Sequence, residues 1–467
     1  MDQAVVSASS MIAELYQQST RPRYVGVIEA IVEGVKVHRL ASGQRLPTQR
    51  ELAAELNMAV ATVGRAYAEL EKQGYLMSHV GRGTFVAVRS EESSRRTDEV
   101  GETVEMDVYR APLPPLDDRF HAQLQRLLTL SAESVFEAVP VAGSFAHRRA
   151  LTAWINSLGV EAVPDQCVIT NGAQHAMMCV ISELTHTGDA IATEALTDPR
   201  MKAVAERFDR RLLGIHMDAD GLIPSSLEQL CLKERIAAIY VTPRCQNPTN
   251  SMLTLERRVE LVAIARKHDI PIIESDIYGT LLPSGGASPI AALAPERTYF
   301  ITGLARIFGP GMKIGCVISP MSDIARVRAA VGMSTGVASP ILAEMAASWI
   351  SDGTLEELVR WQSNEIRNRQ KALERFPLLS RALSVSPSHH LWLLLPDPWR
   401  AEDFIEAAAA RQVAIAPTHS FVVGRNSLPH AVRLCIGSPR TLAALELGAE
   451  RLEKILSTPR RTHRDVS

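Results

Sequence analysis

Tyr299–Ile318, YFITGLARIFGPGMKIGCVI, holds two apolar runs, Tyr299–Thr302 and Ile314–Ile318, on either side of a turn. Gly309-Pro310-Gly311 forces a tight backbone path, because proline fixes φ and the flanking glycines carry no Cβ. A short strand, a glycine-rich loop and a second strand are the local form of an α/β ligand site. That signal is unspecific by itself, and the segments around it sharpen it.

The chain has 467 residues, enough for more than one domain. A hydrophobic content of 46% and a charged content of 22% are those of an ordinary globular protein. The formal net charge is −2, so any nucleic-acid surface must be local. The six cysteines are scattered without a CxxC, which reads as buried thiols in a reducing compartment. No basic-then-apolar leader opens the sequence, and no apolar run is long enough to span a membrane. The expectation is a cytoplasmic protein with no membrane partner.

Toward the N-terminus, Val27, Ile28, Ile31, Val32 and Val35 recur at helical spacing within Tyr24–Val35. Pro47 and Thr48 open a second helix, Thr48–Leu56, and a third, Ala61–Gln73, carries Val63, Ala66, Tyr67 and Leu70 on one face. Tyr75–Val80 and Thr84–Val88 alternate around Gly81-Arg82-Gly83, a hairpin signal. Helix, helix, turn, helix, hairpin is the order of a winged helix-turn-helix. The wording LPTQRELA, ATVGRAYAEL and GRGTFV resembles the GntR-type domain over residues 21–89. That resemblance implies a double-stranded DNA operator as partner, with Ala61–Gln73 in the major groove. Arg50, Thr62 and Arg65 would face the groove, and Gly81 and Arg82 would form the wing tip that reaches phosphate or minor groove. Arg21, Arg23 and Arg45 add charge that serves equally well as solvated surface.

Residues 90–115, rich in charge, serine and proline, read as a flexible linker. From Leu116, helix and strand patterns alternate, the sign of an α/β domain with a mainly parallel sheet. Five segments resemble fold-type I aminotransferases in order. Val168–His175 is similar to the turn that cups a cofactor phosphate, placing Gly172, Ala173 and Gln174 at a helix N-terminus. Thr193–Arg200 is similar to the segment that supplies a stacking aromatic, and Tyr240–Thr249 to the loop whose Asn, here Asn247, bonds the ring hydroxyl. Pro271–Gly279 is similar to the strand that supplies an Asp to the pyridine nitrogen and a Tyr, here Tyr278, to the ring hydroxyl. The fifth is the opening stretch, which resembles Ser-x-Ser-Lys followed by Pro-Gly-x-Arg. Near the C-terminus Arg433 stands where the family grips a substrate carboxylate. Winged helix, linker and aminotransferase-like domain together resemble the MocR family of bacterial regulators. The implied layout is DNA-binding domain 21–89, linker 90–115 and an effector and dimerisation domain 116–460. That domain would split into a large subdomain of about 140–320 and a small one of about 330–460.

The resemblance implies pyridoxal phosphate, yet the departures from the family pattern fall on its chemistry. The Schiff-base lysine slot holds Arg306, the serine slots hold Gly303 and Ala305, and the arginine slot holds Lys313. Counting back from Tyr278 puts Ser275 in the aspartate slot; a slip of one residue would place Asp276 there instead. Asp198 occupies the aromatic slot. The expectation is therefore no catalytic residue, no metal, and a homodimeric regulator that binds a small anionic, amino-acid-like effector or only dimerises. A regulator holding pyridoxal phosphate non-covalently and sensing an amino compound is the alternative. An active aminotransferase tethered to DNA is a third. A further expectation is that Arg306 and Asp198 pair across the emptied cofactor space.

Overall fold

The computed structural model describes residues 8–17, 23–36, 40, 44–72, 75–79, 83–86, 103–129, 139–282, 288–382, 387–424 and 429–457. The chain forms two compact units, Met1–Glu102 and Thr103–Ser467.

In the first unit, helices α1 (Ala8–Tyr16), α2 (Arg23–Lys36), α3 (Gln49–Glu55) and α4 (Val60–Lys72) precede strands β1 (Leu76–His79) and β2 (Gly83–Val86). Thr48 caps α3 in a reciprocal box with Glu51: its hydroxyl accepts from Glu51 N, and the Glu51 carboxylate accepts from Thr48 N. Val27, Ile31, Leu52, Val63 and Leu70 meet in one fully buried core, each contributing roughly 1.5–3 kcal/mol of transfer free energy. The two strands pair antiparallel from Leu76↔Val86 to His79↔Gly83. Gln44–Leu46 adds a third line to the hairpin, through Leu46 N to Thr84 O (2.9 Å) and Val86 N to Gln44 O (2.9 Å). Helix α1 lies ahead of the expected start at residue 21, yet Ile12 belongs to the same core. Its nine residues are too few for a helical period to stand out in sequence.

The second unit is built on a seven-stranded sheet ordered β4-β12-β11-β10-β9-β5-β6. These are Cys167–Thr170 (β4), Ala190–Glu194 (β5), Arg211–Ile215 (β6), Ile236–Val241 (β9), Ile272–Ser275 (β10), Thr298–Gly303 (β11) and Gly315–Ile318 (β12). Only β12 runs antiparallel to its neighbours, so the sheet is mainly parallel, as the alternating pattern implied. Neighbours on β11 face opposite ways. Phe300 packs with Trp154 and Trp349 on one side, and Tyr299 and Ile301 pack with Val180 and Val327 on the other. A short hairpin, β7 (Met217–Asp218) with β8 (Gly221–Leu222), sits between β6 and β9 in sequence. A smaller layer pairs β13 (His390–Leu394) with β15 (Ala431–Cys435) over a core of Leu391, Leu393, Phe404, Val432 and Leu452.

The opening stretch forms β11, a single helical turn at Ala305–Phe308 and β12. Its strands meet at Gly303↔Gly315. A Cβ on Gly315 would lie 2.6 Å from both Ala173 N and Gly172 C. The glycine is what lets the N-terminus of helix Ala173–Leu184 rest on the sheet.

The linker reading fails for residues 103–115. Strand β3 (Val104–Glu105) pairs in parallel with β14 (Val413–Ala414), and Met106 is fully buried in the small layer. Val104 and Met106 alternate with Glu105 and Asp107, a brief period-two signal masked by the surrounding charge and proline.

Candidate functional site

Helix N-terminus, loop and strand ends converge beside β11. Gly172 caps helix Ala173–Leu184 with φ 85°, a left-handed conformation that suits glycine. The Lys313 side chain comes within 3.9 Å of where a Cβ on Gly172 would lie, and Gln174 is exposed at the same helix end. Gly172, Ala173, Gln174 and Lys313 thus share one corner.

Asp198 does not pair with Arg306, which corrects the expected bridge. It is the N-cap of helix Pro199–Arg207 and accepts from Arg200 N (2.9 Å), Nε (3.0 Å) and Nη2 (2.5 Å). Asn247 Nδ2 adds a fourth bond at 3.1 Å. Burial opposes ionisation of Asp198, but the Arg200 charge and these bonds outweigh it and hold the carboxyl well below the usual range. The cap geometry turns Asp198 toward its own helix, where a guanidinium two residues on is the nearer partner.

Asn247 links this pair to Arg433, whose Nη1 donates to Asn247 Oδ1 at 3.0 Å. Arg433 Nη2 donates to the backbone oxygen of Asp107 at 2.7 Å, and its guanidinium lies 4.8 Å over the Phe421 ring. Arg306 Nη1 donates to Tyr109 O at 2.8 Å. Neither Arg306 nor Arg433 forms an ion pair among the described residues.

Ser275 and Asp276 point to different surroundings. Ser275 bonds the buried Tyr240 hydroxyl. Asp276, fully buried, pairs with Arg244 and accepts from Gly279 N at 3.0 Å. Tyr278 is buried, and its hydroxyl has no hydrogen-bond partner among the described residues. Burial raises its phenol, with Arg306 pulling the other way.

The sequence did not point to Tyr109. Its ring lies 5.0 Å from Tyr278 and 5.3 Å from His390, with the Arg306 guanidinium 3.9 Å from its centroid. Arg200 and Arg244, which take the two carboxylates, were missed as well. The Asp-Pro-Arg cap could have been found from its spacing; Arg244 and Asp276 carry no local signal.

In the first unit, Arg50 is exposed, Thr62 is half-buried, and exposed Arg65 braces its guanidinium 4.4 Å over the Tyr24 ring. Gly81 and Arg82 lie outside the described residues.

The sequence pattern of the bacterial regulatory proteins, gntR family, matches residues 23–86, and that of aminotransferase class I and II matches residues 107–452. The uncharacterized HTH-type transcriptional regulator YdeF of Bacillus subtilis is 28% identical over 94% of this chain and 95% of its own length. HTH-type transcriptional regulator TauR of Rhodobacter capsulatus is 26% identical, covering 92% of this chain and 95% of its own. The HTH-type pyridoxine biosynthesis transcriptional regulator PdxR of Corynebacterium glutamicum is 26% identical over 72% of this chain and 74% of its own. Among solved structures, an archaeal alanine:glyoxylate aminotransferase superposes with a TM-score of 0.70 at 23% identity, covering 79% of this chain and 94% of that one. This last likeness concerns the fold.

Proposed function

Because the chain belongs to the aminotransferase class I and II family and carries a GntR-type DNA-binding domain before it, as MocR-type transcriptional regulators do, we propose that its second unit is a sensor and dimerisation unit without catalysis. It reads a small anionic, amino-acid-like effector and holds no pyridoxal phosphate as an imine. One observation carries this reading: the loop between β11 and β12 presents Arg306, whose guanidinium lies on the Tyr109 ring and bonds Tyr109 O. Imine formation needs an amine that can lose its proton, and a guanidinium, with a pKa above about 12, keeps it.

The surroundings do not fit the cofactor as an imine either. Asp198 is bound by Arg200 and Asn247, Asp276 is bound by Arg244, and the Tyr109 ring packs against Tyr278. What the pocket offers is positive charge: Arg306 and Arg433 meet backbone carbonyls, and Lys313 stands at the helix N-terminus. A carboxylate would be a stronger partner for each guanidinium than a carbonyl dipole. Two-fold dimers of such units suit operators with repeated half-sites.

The test is to incubate the whole protein with pyridoxal phosphate, reduce with borohydride and weigh it. The expected result is no pyridoxyl adduct within the second unit; such an adduct would overturn the reading. The helix N-terminus at Gly172 favours phosphate and gives the non-covalent alternative its support. Equilibrium dialysis separates the two, since only that alternative predicts retained cofactor.

A further inference from the structure

Asp107–Tyr109 lies against Arg433, Ser438 and Arg306 as a strap, held by its backbone. The Asp107 oxygen accepts from Arg433 (2.7 Å), the Val108 oxygen from Ser438 Oγ, and the Tyr109 oxygen from Arg306 (2.8 Å). The Tyr109 ring packs against the cluster of Cys245, Ile277 and Tyr278, and so does Ala173, the first residue of the helix whose N-terminus forms the corner with Lys313. The strap satisfies this space only in part. The hydroxyls of Tyr109 and Tyr278 and the Nε of Arg433 are buried without a hydrogen-bond partner among the described residues. Two guanidiniums that meet carbonyl oxygens and aromatic rings but no carboxylate among the described residues retain much of their attraction for a full negative charge.

We infer that Asp107–Tyr109 is a built-in ligand, and that the pocket takes an aromatic carboxylate which expels it. The incoming ring replaces that of Tyr109 between Tyr278 and Arg306. The carboxylate replaces the backbone carbonyls on Arg306 and Arg433. This rests on the anion-sensing reading above and adds which group the anion must displace. The strap follows β3 directly, so its release acts at the point where the DNA-reading unit is joined in sequence to the second unit. While the strap is seated, the apparent affinity for any competitor is reduced by the fraction of time the pocket is open.

The experiment titrates the full-length protein with 4-hydroxyphenylacetate by calorimetry. Tyr109→Ala should bind at least tenfold more tightly than the parent, and Ser438→Ala, which loosens the strap but keeps every ring, should fall between. Hydrogen exchange in a peptide covering residues 106–113 of the parent should rise with the probe bound. A folded Tyr109→Ala that binds no more tightly than the parent overturns the strap. If that variant does not fold, an unchanged Ser438→Ala together with unchanged exchange overturns it. Equal binding by parent and Tyr109→Ala, abolished in both by Arg433→Ala, would leave the anion pocket standing and remove only the strap. No binding by any form removes both.

Discussion

Replacing Asp198 by asparagine removes one charge and keeps the cap, because asparagine serves as well as aspartate at that position. The side chain of Asp198 is 8% exposed and that of Arg200 is 36% exposed. Breaking a buried pair costs about 3–5 kcal/mol, and partial access of Arg200 to water reduces this to roughly 2–3 kcal/mol. Asp198→Ala also loses the cap and costs about 1 kcal/mol more. All five tryptophans (154, 349, 361, 392 and 399) lie in the second unit, so their fluorescence in urea follows that unit alone. With a slope of about 3 kcal/mol per molar, the asparagine variant should unfold nearly 1 M earlier. A cycle with Arg200→Met should return most of the loss as coupling. The folded-state value of Asp198 is depressed, so its contribution is present above the ordinary 3.8 and is lost as pH falls. The gap between parent and variant should therefore narrow in acid. A midpoint unchanged at neutral pH would refute the assignment of Asp198 to Arg200.

Other outcomes are as specific. Burial pushes Glu194 up to about 7, above its ordinary 4.5, despite bonds from Thr242 N and the Thr193 hydroxyl. Its proton is held more tightly in the folded state, so stability is fully present below 4.5 and declines as pH rises through about 7. Glu194→Gln should flatten that decline in urea titrations run between those values. Arg65→Ala should weaken a DNA site obtained by in vitro selection by about 1–3 kcal/mol, as anisotropy would show. Arg50→Ala should lower the salt slope by about one if it meets phosphate. Arg306→Lys should still give no stable adduct after borohydride, since Asp198 and the Tyr109 ring stay in place; a strong visible imine band in that variant would show that the rest of the pocket is intact.

The architecture was legible wherever local chemistry forces it. The two apolar runs around Gly309-Pro310-Gly311 announce a strand, a tight turn and a second strand, while the helix end that rests on Gly315 showed only in the fold. Leu46-Pro47-Thr48 through Leu70 announces two helices, the first opened by Pro47 and Thr48, where the box with Glu51 lies within four consecutive residues. The pocket was legible as a set of positions, not as a set of partners. Asp198 and Arg306 were assigned to neighbouring slots, but what a buried charge pairs with depends on which competitor is nearest. Arg200 was nearest by way of the helix cap, and Tyr109 reached Arg306 across 197 residues of sequence. A composition that looked like a tether concealed a strand of two residues, too short to outweigh the prolines after it.

That short strand also fixes where mechanical load enters. β3 is the first described element after the join, and it is tied in parallel to β14 by Val104 N to Gln412 O (2.8 Å) and Met106 N to Ala414 O (3.0 Å). A pull along the chain from the DNA side loads these bonds before it reaches any larger part of the unit. Further along, Cys435 N to Met106 O (2.9 Å) passes the load to β15, the strand that carries Arg433. A load on the join and the side chain of Arg433 therefore meet on one strand.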